Sequence, residues 1–274
     1  MTLDAHQHFW HYDPVKDAWI DETMTAIRRD FLPADLEPVL AANGVEGCVA
    51  VQASQSLGET EFLLALADRH DFIRGVVGWV DLRAPEVSDQ LARFADHPKF
   101  VGVRHVVQAE PEGFMLNPDF QRGIAALREF DLTYDILILQ HQLEEASALV
   151  GAFPDQPFVL DHLAKPQVSN GMDPAWAHGI HRLADYPNVS CKLSGLVTET
   201  TDWQWQTDDF RPFIDHALST FGPDRLMFGS DWPVCRLAAD YSEVKEIVEN
   251  VLAGLSEAER AGILGGNAQR FYGC

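Results

Sequence analysis

Short apolar, β-branched runs recur along the chain, separated by longer segments whose apolar residues fall at helical spacing. Strands are predicted near Leu3–His8, Gly47–Gln52, Arg74–Asp81, Phe100–Val107, Thr133–Leu139, Phe158–His162, Val189–Leu193 and Leu226–Asp231. Their starts lie roughly 25 to 44 residues apart. That leaves room for one strand, one helix and two loops, the crossover that parallel strands require. Between the strands, Glu59 to His70 places Phe62, Leu63, Leu66 and Ala67 on one helical face. Pro85–Phe94, Pro118–Phe130 and Pro174–Leu183 each open with a proline in the first turn, where a missing N–H costs nothing. Ser256 and Glu259 have the spacing of a capping box. Eight such units predict an α/β fold, a (β/α)8 barrel of the TIM type in one domain over residues 1–274. An open doubly wound sheet competes, but no G-x-G-x-x-G or G-x-x-x-x-G-K-[ST] follows any strand.

Residues 9–32 interrupt this rhythm. They follow the first strand and carry Trp10, Tyr12 and Trp19 among prolines and charges. In a barrel such an insertion lies at the C-terminal face, where active sites form, so a lid is expected there.

Composition narrows the partners. The 274 residues hold 42 acidic and 20 basic side chains, a formal charge of −22, with 46% hydrophobic content. A large core fits these numbers and disorder does not. Such a field repels phosphate, so neither nucleic acid nor an anionic membrane is expected as a partner. No apolar run approaches a membrane span. The D-A-H-Q-H-F-W motif begins at Asp4, so a secretory signal is not expected. Cys48, Cys191, Cys235 and Cys274 are scattered, as free thiols in a reducing cytoplasm would be. The pattern leaves monomer and homo-oligomer both open.

Candidate chemistry collects at the strand ends. His6 and His8 form an H-x-H, and residues two apart on a strand face the same side. Asp231 ends the eighth strand, which neighbours the first in a closed barrel, so the three side chains should meet. His162, Arg104 and Lys192 are costly residues in otherwise apolar strands. Strand alternation sends Asp161 to the side opposite His162, and Arg104 to the side opposite His105. Gln52, Asp81 and Asp135 lie on or near other strands. Trp10 and Trp232 directly follow the two strongest signals and could stack on a sugar ring. His178 and His181, three apart on a helix, read as a solvated face rather than a metal pair. No G-x-S-x-G elbow or H-E-x-x-H is present.

The strand-1 H-x-H with a strand-8 Asp resembles the amidohydrolase superfamily. Finer motifs resemble its sugar lactonase branch, of the amidohydrolase 2 type, and more distantly the 2-pyrone-4,6-dicarboxylate lactonases. They are D-A-H-Q-H-F-W, G-V-R-H-V-V-Q, Y-D-I-L-I-L, V-L-D-H-L-A-K-P, C-K-L-S-G-L, M-F-G-S-D-W-P-V-C and N-A-Q-R-F-Y, spanning residues 4 to 272. The resemblance implies a TIM-type barrel that hydrolyses a sugar lactone to the sugar acid. Metal-dependent members of the superfamily add a fifth-strand histidine, and binuclear ones a carboxylated lysine or glutamate. The fifth strand here, T-Y-D-I-L-I-L, has none of these. Only His6, His8 and Asp231 remain as ligands for a divalent ion, barely sufficient for catalytic zinc. The resemblance to the lactonase branch implies that no metal is needed, so no cofactor is expected to be required, with zinc at most adventitious.

The expected mechanism has Asp231 as general base, with His6, His8, His162 or Arg104 stabilising the oxyanion. Gln52, His105, Lys192, Trp10 and Trp232 would hold the substrate. A dianionic pyrone would need more cations than Arg104, Lys165 and Lys192, so a neutral sugar lactone is favoured. The competing activities are a 2-pyrone-type lactonase, a metal-dependent amidohydrolase or decarboxylase on the same scaffold, and a non-catalytic sugar-binding protein.

Overall fold

Eight parallel strands pair in strict chain order in the computed structural model, which describes every residue from Met1 to Cys274. They are β1 (Leu3–Gln7), β2 (Gly47–Val51), β3 (Ile73–Gly78), β4 (Phe100–His105), β5 (Thr133–Ile136), β6 (Phe158–Leu160), β7 (Val189–Leu193) and β8 (Leu226–Phe228). Each is followed by a helix: α1 (Pro33–Ala42), α2 (Leu57–Ala67), α3 (Val87–Ala95), α4 (Pro118–Leu127), α5 (Leu143–Ala152), α6 (Pro174–Ala184), α7 (Thr207–Phe221) and α8 (Tyr241–Leu252). This is the predicted (β/α)8 barrel, with the strand count as expected. Two further short helices, α9 (Glu257–Ala261) and α10 (Asn267–Tyr272), end the chain.

Local chemistry sets the helix starts. Asn117 and Asp173 accept hydrogen bonds from Asp119 N and Ala175 N, and a proline follows each cap. Ser256 and Glu259 form the expected capping box. Pro85 lies outside α3, which begins two residues later at Val87. The strand run of the second unit leads into α2 earlier than the apolar pattern suggests, because Ser56 caps it and accepts from Glu59 N at 3.1 Å.

The barrel interior is filled by small and branched side chains, among them Ala5, Val49, Val51, Val77, Val101, Val159 and Met227. Tyr272 of α10 joins this inner cluster. It enters from the N-terminal end of the strands, where Gly265 lies so close to Met1 O and Leu3 N that a Cβ would sit 2.5 Å from each. Several predicted strands stop early. β6 ends at Leu160 and β8 at Phe228, so the residues beyond them are free of strand alternation.

Closure between β8 and β1 runs through the segment after β8. Asp231 N donates to His6 O at 2.8 Å, and His8 N donates to Trp232 O at 2.7 Å. Buried Asp4 staples the same seam. Its carboxylate accepts from His6 N, Ser230 N, the Ser230 hydroxyl and the Tyr241 hydroxyl at 2.6–3.1 Å. Burial pushes this carboxyl up to about 6, against the pull of those four bonds.

Residues 9–32 form an excursion whose ends are tied together, with Trp10 and Phe31 exchanging backbone hydrogen bonds at 3.0 Å. Ile20, Ile27 and Phe31 are buried, while Val15 and Trp19 are exposed.

Candidate active site

A break in strand register accompanies the H-x-H. The β1–β2 register shifts between Asp4 and Gln7. Ala5 therefore fills the barrel while His6 also reaches its axis. Gly229 makes room, since a Cβ there would come within 2.7 Å of His6 Cβ. His8 Nδ1 lies 2.8 Å from the Val51 carbonyl. A carbonyl only accepts, so Nδ1 carries the proton and Nε2 is left facing Asp231 Oδ1 at 3.3 Å.

Three imidazoles surround that one carboxylate oxygen. His6 Nε2 and His162 Nε2 each lie 3.9 Å from Asp231 Oδ1. Burial pushes the Asp231 carboxyl up, but the neighbouring histidines, His162 first, outweigh it and hold it well below the ordinary range. Burial draws His162 down to about 4, only partly offset by Asp231 and Asp161. His6 is drawn well below its ordinary value by burial, with Lys192 and His162 adding to the effect against Asp161. At neutral pH the site thus pairs an ionised carboxylate with neutral His6 and His162.

His162 belongs to an unusual turn. His162, Leu163, Ala164 and Lys165 all have φ between 50° and 58°, a left-handed run without a glycine. Each such residue costs roughly 1–2 kcal/mol. The turn is pinned by Trp176 Nε1 donating to Leu163 O at 2.7 Å and by the 2.8 Å contact of His162 Nδ1 with the Ser194 hydroxyl. Gly195, itself at φ +68, packs against the ring. A Cβ there would lie 2.5 Å from His162 Nδ1. The turn corrects one expectation. Alternation was to send Asp161 away from His162, but the strand has already ended, and Asp161 reaches the barrel axis as well.

Asp161 belongs to a charged floor beneath the histidines. Lys192 Nζ lies 2.5 Å from Asp135 Oδ2 and 3.0 Å from Asp161 Oδ1. Arg104 Nη1 lies 3.0 Å from Asp161 Oδ2 and 3.1 Å from His6 Nε2. His6 Nδ1 lies between Asp161 Oδ1 at 3.3 Å and Lys192 Nζ at 3.1 Å, while Nε2 accepts from Arg104, which can only donate. The Tyr272 hydroxyl donates to Asp135 at 2.8 Å. Burial pushes Asp135 up to about 6 against the pull of Lys192. Asp161 goes the other way, because Lys192, His6 and Arg104 outweigh its burial.

The residues expected to hold substrate are all buried. Gln52 and Lys192 have no solvent exposure. Gln52 accepts from Arg104 Nη2 through its carbonyl and donates to Arg104 O, so it braces the guanidinium. His105 stacks on Phe114 and lies 2.8 Å from Glu110, facing away from Arg104 as alternation predicts. Trp10 packs edge-on against Phe31 and donates to Arg29 O. Trp232 packs on Phe9 and Phe31. These indoles are wall material, because apolar burial claims a tryptophan as readily as a ligand does. Asp81 ties a turn by accepting from Arg83 N. His178 and His181 lie exposed on α6, as the helix pattern implies.

Sequence reasoning turned Asp161 away from the site and passed over Ser194 and Glu199. The last faces Lys165, with 3.6 Å between Oε1 and Nζ.

The donor chemistry fits a divalent ion. His6, His8 and Asp231 present ligand atoms within 4.8 Å of one another, and the Val51 carbonyl fixes His8 in the ligating tautomer. Arg104 competes for the His6 lone pair.

The family model described as amidohydrolase matches residues 3–274. The chain belongs to the amidohydrolase family. Within it, the chain is 42% identical to an L-fucono-1,5-lactonase of Burkholderia multivorans, covering 99% of this chain and 96% of the relative. It is 39% identical to another of Burkholderia ambifaria, covering 99% and 95%. A crystal structure of a Burkholderia multivorans amidohydrolase with bound zinc superposes with a TM-score of 0.96 at 41% identity, over 100% of this chain and 99% of that one. No helix of this family member is long and apolar enough to cross a membrane.

Proposed function

We propose that the protein opens a neutral sugar lactone, of the L-fucono-1,5-lactone type, to the sugar acid. The observation that carries this reading is the convergence of three imidazoles on the Asp231 carboxylate at the C-terminal mouth of the barrel. The chain's overall likeness to L-fucono-1,5-lactonases supports it.

Asp231 acts as the general base. Its oxygen and the His8 Nε2 lone pair are both acceptors and converge on one point. A water seated there donates both protons and turns a lone pair toward the lactone carbonyl. In this reading the Ser194 hydroxyl, 2.8 Å from His162 Nδ1, donates to it, and Nε2–H stabilises the oxyanion. His6 and Arg104 lie beneath, where the guanidinium adds positive field without touching substrate. The Asp231 proton then goes to the departing ring oxygen. A lactone is a cyclic ester whose ring oxygen leaves as an alcohol once it takes that proton, so the step asks only for a base, an oxyanion partner and the returned proton. A divalent ion, when held by His6, His8 and Asp231, supplies Lewis-acid polarisation and a more acidic water. The zinc-bound relative favours that second reading, and the Arg104 contact with His6 favours the first.

Ring opening releases acid, so a pH-indicator screen over aldonolactones tests the activity directly. Asp231→Asn should lower kcat about 10²–10⁴-fold. The fold should hold, because Asp231 has φ +57 and asparagine tolerates that region. Near-wild-type turnover by the variant would remove Asp231 from the base role.

A further inference from the structure

The loops after β6 and β7 meet beside His162. Ser194 and Gly195 grip its ring, so the two loops are locked to each other and to the strained turn at residues 162–165. The turn ends in Lys165 and the β7 loop runs on to Glu199, whose side chains face each other at 3.6 Å. Their side chains are 22% and 20% exposed, so the pair is sheltered on one side and open on the other. Both sense the catalytic groups. Burial and the Asp231 charge push Glu199 up against the pull of Lys165, and Lys165 helps draw His162 down.

Next to this pair lies a recess of about 370 Å³ without one apolar side chain in its lining. Gln167, Ser169 and Asn170 come from the β6 side, and residues 198–201, including Glu199, from the β7 side. It is built rather than incidental. Thr201 N donates to the Ser169 hydroxyl at 2.8 Å, and Asn170 Nδ2 donates to Gln167 Oε1 at 2.7 Å. The hydroxyls of Thr198 and Thr200 donate to Gly195 O and Val197 O, which leaves their lone pairs free to accept.

We infer that this recess seats the hydroxylated end of the substrate, with Glu199 and Lys165 as its specificity-determining residues. An ionised carboxylate accepts from neighbouring hydroxyls, an ammonium donates to them, and flanking hydroxyl and amide groups complete a polyol's demand for partners. The tryptophans expected for this task are packed in the walls, and no stacking face is needed where every contact is polar. This rests on the lactonase reading.

The test compares an aldono-1,5-lactone with δ-valerolactone, which has the same ring without hydroxyls. Wild type should prefer the hydroxylated lactone. Glu199→Gln and Lys165→Met should each lower the ratio of the two kcat/KM values by about 10- to 100-fold, mainly through KM of the hydroxylated lactone. Asn170→Ala, at an exposed position, should lower the same ratio less and keeps the test independent of folding at the buried pair. A proportional loss on both lactones would make the pair structural and overturn the inference, as would an unchanged ratio. Wild type that opens neither lactone would instead overturn the underlying reading.

Discussion

Replacing Lys192 with methionine removes one charge from a floor that is neutral as built. Asp135, Asp161, Lys192 and Arg104 carry two negative and two positive charges, and none is more than 4% exposed at its side chain. Methionine keeps an unbranched apolar stem in place. It deletes the ammonium that lies 2.5 Å from Asp135 and 3.0 Å from Asp161. Removing one partner of a buried pair costs about 3–5 kcal/mol. At about 2.1 cal/mol/K per residue, a chain of this length unfolds with roughly 0.6 kcal/mol/K, so Tm should fall by about 5–9 °C. The loss should depend on pH. Burial already pushes Asp135 up to about 6, and Lys192 is the largest pull against it. The variant's Asp135 therefore rises further. A carboxyl raised above its unfolded value binds more protons when folded, so its destabilisation is absent at low pH and grows as pH rises through the folded value. Calorimetry of both proteins should show little difference at about pH 5 and the full loss at about pH 8. An equal loss at both, or none at the higher pH, would refute the picture of a charge-balanced floor.

Other consequences are as direct. The acid limb of kcat/KM should lie near 4, where His162 gains its proton, and a limb at the ordinary histidine value would show that burial does not keep the ring neutral. Gly195→Ala should cost roughly 1–2 kcal/mol for the left-handed backbone alone. It should also lower kcat out of proportion, because the new Cβ would stand 2.5 Å from His162 Nδ1, and a variant with unchanged kcat would free His162 from the oxyanion role.

Much of the fold was legible because parallel strands buried on both faces read as apolar runs and their crossovers impose a spacing. The meeting of the H-x-H with Asp231 was legible for a related reason: closing the barrel sets the first and eighth strands side by side. What escaped lies where strand geometry stops. Alternation misplaced Asp161 because β6 ends at Leu160 and the next turn is left-handed. Lys192 and Gln52 were rightly singled out as costly, but cost alone does not separate a substrate contact from a buried brace. Glu199 carries no local pattern at all. It meets Lys165 only because two loops fold over each other, and the Ser194 contact that locks them is likewise a property of three dimensions.

The central claim is that the chain's own carboxylate and imidazoles open a sugar lactone without help. Acid release from L-fucono-1,5-lactone should be followed with enzyme stripped by a chelator, its metal content measured in the same sample. The account predicts full turnover at substoichiometric metal, abolished by Asp231→Asn. Loss of turnover on stripping, restored by added zinc, would contradict it.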